Sequence, residues 1–190
     1  YADDAICHCA SENEAKRLRE VLEQRFTECK LELHPEKTKI VYCKDSNRRR
    51  ENPVTAFDFL GYTFRPRTAA NRGGELFVSF SPAVSSKAAK SIRATIRGWQ
   101  LHHWNSLNLD EVAERVRAKI RGWLNYYGRF NRTMLIRALR TLDYFVMRWL
   151  QRKYKNLKTH KWRTWEWFAR LKSRQPDLFP HWQLGEKVGR

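Results

Sequence analysis

No apolar run of about 18 residues occurs anywhere in the chain, which excludes a transmembrane helix, and no membrane partner is expected. There is no initiator methionine and no signal-peptide pattern; the sequence opens on Tyr1. Cysteine is scarce. Cys7, Cys9, Cys29 and Cys43 all fall in the first quarter, and none stands at the C-x-x-C spacing that zinc sites prefer. Free thiols in a cytosolic setting are the expectation. His8, His34, His102, His103, His160 and His181 also lack metal-ligand spacing and read as incidental. Internal repeats and low-complexity segments are missing too.

The most informative shortage is of acid, and it is local. Residues 1–50 carry 11 basic and 10 acidic side chains, and residues 51–81 carry 3 of each. Residues 82–175 carry 22 basic against 5 acidic, so nearly all of the net charge of +18 lies there. Charge packed that densely repels itself unless a polyanion screens it, and it gives fast, salt-sensitive association with nucleic acid.

Hydrophobic periodicity divides the chain at about Ser81-Pro82. Ala5–Ala10 is short and mostly apolar, as a buried strand would be. From Glu12 to Cys29, Leu18, Val21, Leu22, Phe26 and Cys29 recur at helical steps, predicting an amphipathic helix lying on a sheet. Lys39–Cys43 reads as another strand, Asp45–Pro53 as a polar loop, Thr55–Phe64 and Leu76–Phe80 as strands, and Asn71–Gly74 as a turn. After Pro82 the pattern is helical. Helices are predicted over about 85–103, from an N-cap region at Asn108 through Tyr127, over about 132–154, and over about 164–174. The fold class is therefore α+β.

The sharpest chemical signal is Tyr1-Ala2-Asp3-Asp4, followed by an apolar stretch and an amphipathic helix. Two-metal phosphoryl transfer needs carboxylates at that density, because each ion bridges oxygens of the reacting groups. A turn filler uses the same residues, so context decides. The order of Tyr1–Asp4, then Leu31-Glu32-Leu33-His34-Pro35-Glu36-Lys37, then Phe57-Asp58-Phe59-Leu60-Gly61-Tyr62 resembles the YxDD turn and following palm of reverse transcriptases. The resemblance implies that Asp3 and Asp4 hold Mg²⁺, with Asp4 less directly engaged. It implies that Lys37 lies near the triphosphate, where an exposed loop lysine is the alternative. It implies that Phe59, Leu60, Gly61 and Tyr62 form the primer grip, Gly61 letting the backbone approach the primer strand.

The helical part resembles the thumb, or domain X, of group II intron maturases, on Ile92–Arg97 and Ile120-Arg121-Gly122-Trp123-Leu124-Asn125-Tyr126-Tyr127. Trp123 and Tyr127, four apart, belong to the core. Tyr126 points elsewhere and is a candidate for surface contact. Gly122 costs about 1 kcal/mol in a helix relative to Ala, so close packing or an approaching RNA is expected to require it. Arg93, Arg97, Arg115, Lys119, Arg121, Tyr126, Arg129 and Arg132 are the candidate RNA contacts, and Arg137 and Arg140 continue the pattern with Asp143 the only acid nearby. For Trp162, Trp165, Trp167, Phe168 and Trp182, packing is favoured over base stacking.

These resemblances imply a partial reverse-transcriptase palm over 1–81, a helical thumb/maturase domain over 82–156, and a basic, Trp-rich tail over 157–190. They imply the carboxy-terminal part of a group II intron-encoded RNA-directed DNA polymerase and splicing cofactor. Its partners would be group II intron RNA, an RNA template with DNA primer, and deoxynucleoside triphosphates. The expected location is a bacterial cytoplasm or an organelle of bacterial ancestry. Another strand with a further metal-binding Asp is needed for polymerisation, so this chain alone is expected to bind RNA without polymerising. A non-enzymatic RNA-binding module is the competing reading.

Overall fold

The computed structural model describes residues 4–48, 50–158 and 161–185, Lys161 by its backbone alone. It divides into two compact units, one of Tyr1–Phe59 with Phe64–Phe80 and the other of Leu60–Thr63 with Ser81–Arg190. The class is α+β, as expected.

In the first unit, helix α1 (Glu12–Glu28) starts where Ser11 accepts from the Glu14 N–H at 3.2 Å and the Glu14 carboxylate accepts from the Ala10 N–H at 2.7 Å. Its apolar stripe is only partly covered. Leu18, Leu22 and Phe26 are half-buried, Val21 is 60% exposed, and no residue of α1 is buried. Strands β1 (Phe57–Phe59), β2 (Tyr62–Ala70) and β3 (Leu76–Val84) form an antiparallel sheet in that order. The β1–β2 connection is the two residues Leu60 and Gly61, at φ 46° and 79°. Positive φ at both central residues is what a type I′ turn demands, and its twist matches that of the flanking strands. At the β2–β3 turn, Asn71 Oδ1 accepts from the Gly73 and Glu75 N–H groups at 2.9 and 3.0 Å. Phe57 stacks on Phe64 with centroids 4.8 Å apart.

Two strand expectations are corrected. Residues 4–9 and residues 39–43 are irregular, not extended into a sheet. A strand requires a hydrogen-bonded neighbour, and apolar character alone does not supply one. Tyr42 has a bond from its N–H to the Val54 carbonyl, 2.9 Å, in place of a ladder. The polar loop after it is held instead through Ser46, whose N–H donates to Val78 O at 3.0 Å and whose Oγ accepts from Val78 N–H at 2.8 Å.

In the second unit the end of β3 runs through Pro82 to Val84, and the first helix starts after it close to residue 85, as expected. Proline is tolerated because β3 is an edge strand. Then come α2 (Ser86–Gly98), α3 (Leu109–Tyr127), α4 (Arg132–Lys153), α5 (Lys155–Lys158), α6 (Lys161–Arg174) and α7 (Trp182–Gly185). Ser85, Asn108 and Asn131 cap α2, α3 and α4, Asn108 with a full capping box to Glu111. The helix expected to reach residue 103 ends at Gly98, because Gln100 turns left-handed at φ 48°; a single 3-10 turn, Leu101–His103, follows, and the Trp99 ring stacks 5.9 Å from Trp123.

Helix α4 is the centre. Leu135, Ala138, Leu139, Leu142, Val146, Trp149 and Leu150 are buried, and α2, α3, α5, α6 and α7 all pack on it. Trp149 Nε1 donates to Trp104 O at 3.1 Å, and Lys153 Nζ donates to Asn105 O at 3.1 Å and to Leu107 O, fastening the connection between α2 and α3. Asp143, expected to offset neighbouring arginines, points inward instead. It accepts from Lys172 Nζ at 2.6 Å and Trp182 Nε1 at 2.8 Å, and pairs with His181 Nε2 at 3.0 Å. His181 is thus a buried structural residue and not an incidental one. The tail tryptophans also depart from expectation: Trp182 is buried, but Trp162, Trp165 and Trp167 are 74%, 58% and 39% exposed.

Burial raises the Asp143 pKa, but the hydrogen bond and charge of His181, with those of Lys172, outweigh it and hold the carboxyl below its usual range. The folded protein therefore binds that proton less readily than the unfolded chain. The stability Asp143 contributes is full above the unfolded value of about 4 and is lost as pH falls through the lower folded value. Asp143→Ala should cost about 3 kcal/mol at neutral pH, by stranding Lys172, His181 and the Trp182 indole. Asp143→Asn should show a shallower acid limb when melting is followed between neutral and strongly acidic pH.

Candidate nucleic-acid interface

Within the second unit, the β1–β2 turn is clamped onto the end of α3. The Tyr126 hydroxyl donates to Leu60 O at 2.8 Å, and the Tyr62 hydroxyl donates to the Tyr126 carbonyl. Ser85 N–H donates to Gly61 O at 2.9 Å. The Tyr62 ring, 8% exposed, has Tyr126, Tyr127 and Phe130 around it at centroid distances of 5.5, 5.4 and 5.4 Å. Burial, then the neighbouring Tyr126 and Tyr127 hydroxyls, push the Tyr62 phenol up from its ordinary value. Gly61 is required twice over. Its φ is 79°, and a Cβ there would lie 2.8 Å from the Tyr127 hydroxyl.

The residues marked from sequence fall into separate sets. Asp3 lies outside the described residues, with Tyr1 and Ala2. Asp4 is exposed, and Lys37 is exposed in the turn after His34, whose carbonyl accepts the Lys37 N–H at 3.2 Å. Of the hairpin residues, Leu60 is exposed at the turn, Phe59 is half-buried and Tyr62 buried. Among the described residues, no three His, Cys, Asp or Glu side chains converge as metal ligands. The described donors alone therefore do not fit a divalent ion.

The cations group by helix face. Arg115, Lys119, Gly122 and Tyr126 follow one stripe of α3 at three- and four-residue steps, all exposed, while Arg121 lies on another side. Arg115 sits 4.8 Å over the Trp104 ring, which holds its guanidinium at the surface. A Cβ at Gly122 would meet nothing within 4 Å, so close packing is not what this glycine serves. Arg93 and Arg97 share one side of α2, half-buried and exposed. Arg129 is exposed beyond α3, and the Nε of Arg132 donates to Gly128 O at 3.1 Å.

A longer row was seen only in part: Arg137 and Arg140 were expected to continue the pattern, but Tyr144, Arg148 and Arg152 were not singled out. Arg137, Arg140, Tyr144, Arg148 and Arg152 are all exposed along one face of α4. Arg148 lies 5.7 Å over the Tyr144 ring and donates to its hydroxyl at 2.9 Å. The three- and four-residue spacing was already visible in the sequence. Rows of exposed guanidinium groups with no acid on the same face suit a polyanion, since each planar fork can donate two parallel hydrogen bonds to a phosphate.

Two family models match the chain. The reverse transcriptase (RNA-dependent DNA polymerase) model covers residues 1–64, through α1 and the hairpin turn. The group II intron, maturase-specific domain model covers residues 89–168, from α2 into α6. No curated protein matches, and no solved structure does. In this order the two matches define a polymerase-type domain continued by a helical maturase domain. The chain belongs to the group II intron-encoded reverse transcriptase/maturase family, whose members use a divalent metal.

Gly61→Ala should lower stability by about 1–2 kcal/mol through its positive φ and the Tyr127 hydroxyl. Tyr126→Phe should cost about 0.5–1 kcal/mol, the value of one partly solvated hydrogen bond. Gly122→Ala should raise stability by about 0.5–1 kcal/mol, having a helix to strengthen and no neighbour to strike. Urea unfolding curves of the three variants check all three signs.

Proposed function

We propose that the protein binds group II intron RNA through the basic faces of α2, α3 and α4, assists the folding and splicing of that RNA, and belongs to a polymerase that copies it into DNA. The observation that carries this reading is the exposed arginine row of α4, inside the segment that matches the maturase-specific model. The open space over Gly122, between Lys119 and Tyr126, supports close approach of a nucleic-acid backbone to α3.

Residues 1–81 serve as part of the palm, residues 82–156 as the thumb and residues 157–190 as a basic tail. Leu60, Gly61 and Tyr62, with Phe59, act as the primer grip, and the tyrosine clamp on the turn favours that role because it fixes a backbone loop without using the loop's outer surface. Asp3 and Asp4 are assigned to Mg²⁺ and Lys37 to the triphosphate by their order in the resemblance. Template RNA, DNA primer and deoxynucleoside triphosphates are partners of the polymerase. Tested alone, the 190-residue chain binds RNA and does not extend a primer. The rival role, an RNA-binding maturase module with no polymerase to serve, is favoured by the confinement of excess charge to the helical segment.

Binding of folded intron RNA and of duplex DNA across a salt series tests the proposal. Tighter binding to the RNA is expected, with both affinities falling as salt rises. Equal affinities and equal slopes would remove the maturase assignment. Replacing Arg137, Arg140, Arg148 and Arg152 by Gln should reduce the salt slope by about one for each phosphate that is no longer neutralised. Primer extension with Mg²⁺ by the chain alone would overturn the proposed division between binding and polymerisation.

A further inference from the structure

Helix α6 presents three distinct sides. Thr164 and Phe168 are buried, and Leu171 packs against the core. Trp162 and Trp165, three residues apart and so neighbours on one face, are 74% and 58% exposed. One turn on, Ala169 is exposed and too small to cover either ring. Around the helix from that face run Arg163, Trp167, Arg170 and Arg174, all exposed. Glu166 is the only acid in α6, and it is engaged by Arg170 at 2.5 Å.

Large apolar rings left in water on a well-packed unit mark a contact surface. The chemistry of the neighbours identifies the occupant. An apolar protein surface would gain little from a rim of arginines, whereas an unpaired nucleic-acid strand supplies flat bases for the indoles and phosphates for the guanidinium groups. Duplexes hide their base faces; single strands expose them.

We propose that the Trp162–Trp165 face of α6 is a stacking platform for unpaired bases of a single strand, with Arg163 and Arg170, on the Trp162 side of the helix, holding the adjoining phosphates. This rests on the reading that the protein binds nucleic acid, and it adds a site that discriminates single-stranded from paired regions.

The test compares the full chain with Trp162→Ala/Trp165→Ala and with Trp162→Phe/Trp165→Phe. The ligands are unstructured RNA and DNA oligonucleotides, a perfect RNA duplex, and folded intron RNA. The alanine pair should weaken single-strand binding roughly tenfold or more while duplex binding stays within about twofold. Its salt slope should not change, since no cation is removed, and the phenylalanine pair should keep most of the affinity. Loss on both oligonucleotides assigns the platform to any unpaired strand, and loss on RNA alone assigns it to RNA. An equal loss on single strand and duplex, or none on either, overturns the platform. If folded intron RNA still binds the unaltered chain, the proposed function survives that result; if it does not, the function itself falls. A concentration-dependent dimer in sedimentation, abolished by the alanine pair, would place a second copy on this face and overturn the proposal.

Discussion

The second unit depends on the burial of α4. Its inward residues, from Leu135 to Leu150, give the other helices one shared apolar surface. Helices α2 and α6, of 13 and 14 residues, are marginal on their own in water, and the flanking helices draw most of their stability from packing an apolar face. Each fully buried leucine or valine is worth about 1.5–3 kcal/mol relative to exposure. Losing the α4 surface therefore loses the partner of every other helix at once. Asp143 is the polar exception in that surface, and it ties α6 and the turn before α7 to the same helix through Lys172, His181 and Trp182.

Burial of α4 also sorts its outside. Once the apolar positions face inward, geometry leaves Arg137, Arg140, Tyr144, Arg148 and Arg152 in a single outward row. The charge excess seen in composition thus becomes a directional surface without any separate device to arrange it. The same packing orients the stripe of α3 that carries Arg115, Lys119 and Tyr126.

What could be read from sequence was what is local. The helices were legible because the apolar period, and for α3 the cap at Asn108, lie within a few residues of each other. The hairpin was legible from aromatic alternation around Gly61. The strands expected near residues 5 and 40 were not settled by composition, because a strand depends on a neighbour that can lie far away in sequence. The side on which Trp162 and Trp165 fall was equally hidden. An indole has the same composition whether it packs or projects, and only the placement of Thr164 and Phe168 against the core decides it. The inward turn of Asp143 was hidden for the same reason: three of its partners come from 29 to 39 residues away.

The turn at Leu60 and Gly61 is held by hydroxyl-to-carbonyl and amide-to-carbonyl bonds, and such bonds recognise the main chain without regard to what hangs from it. The side chain at 60 is therefore free of the anchoring and limited only by its φ of 46°, which disfavours β-branched residues, whereas its neighbour at 61 has no such latitude. A lineage can change the chemistry displayed at the tip of the hairpin, residue by residue, without renegotiating how the tip is anchored.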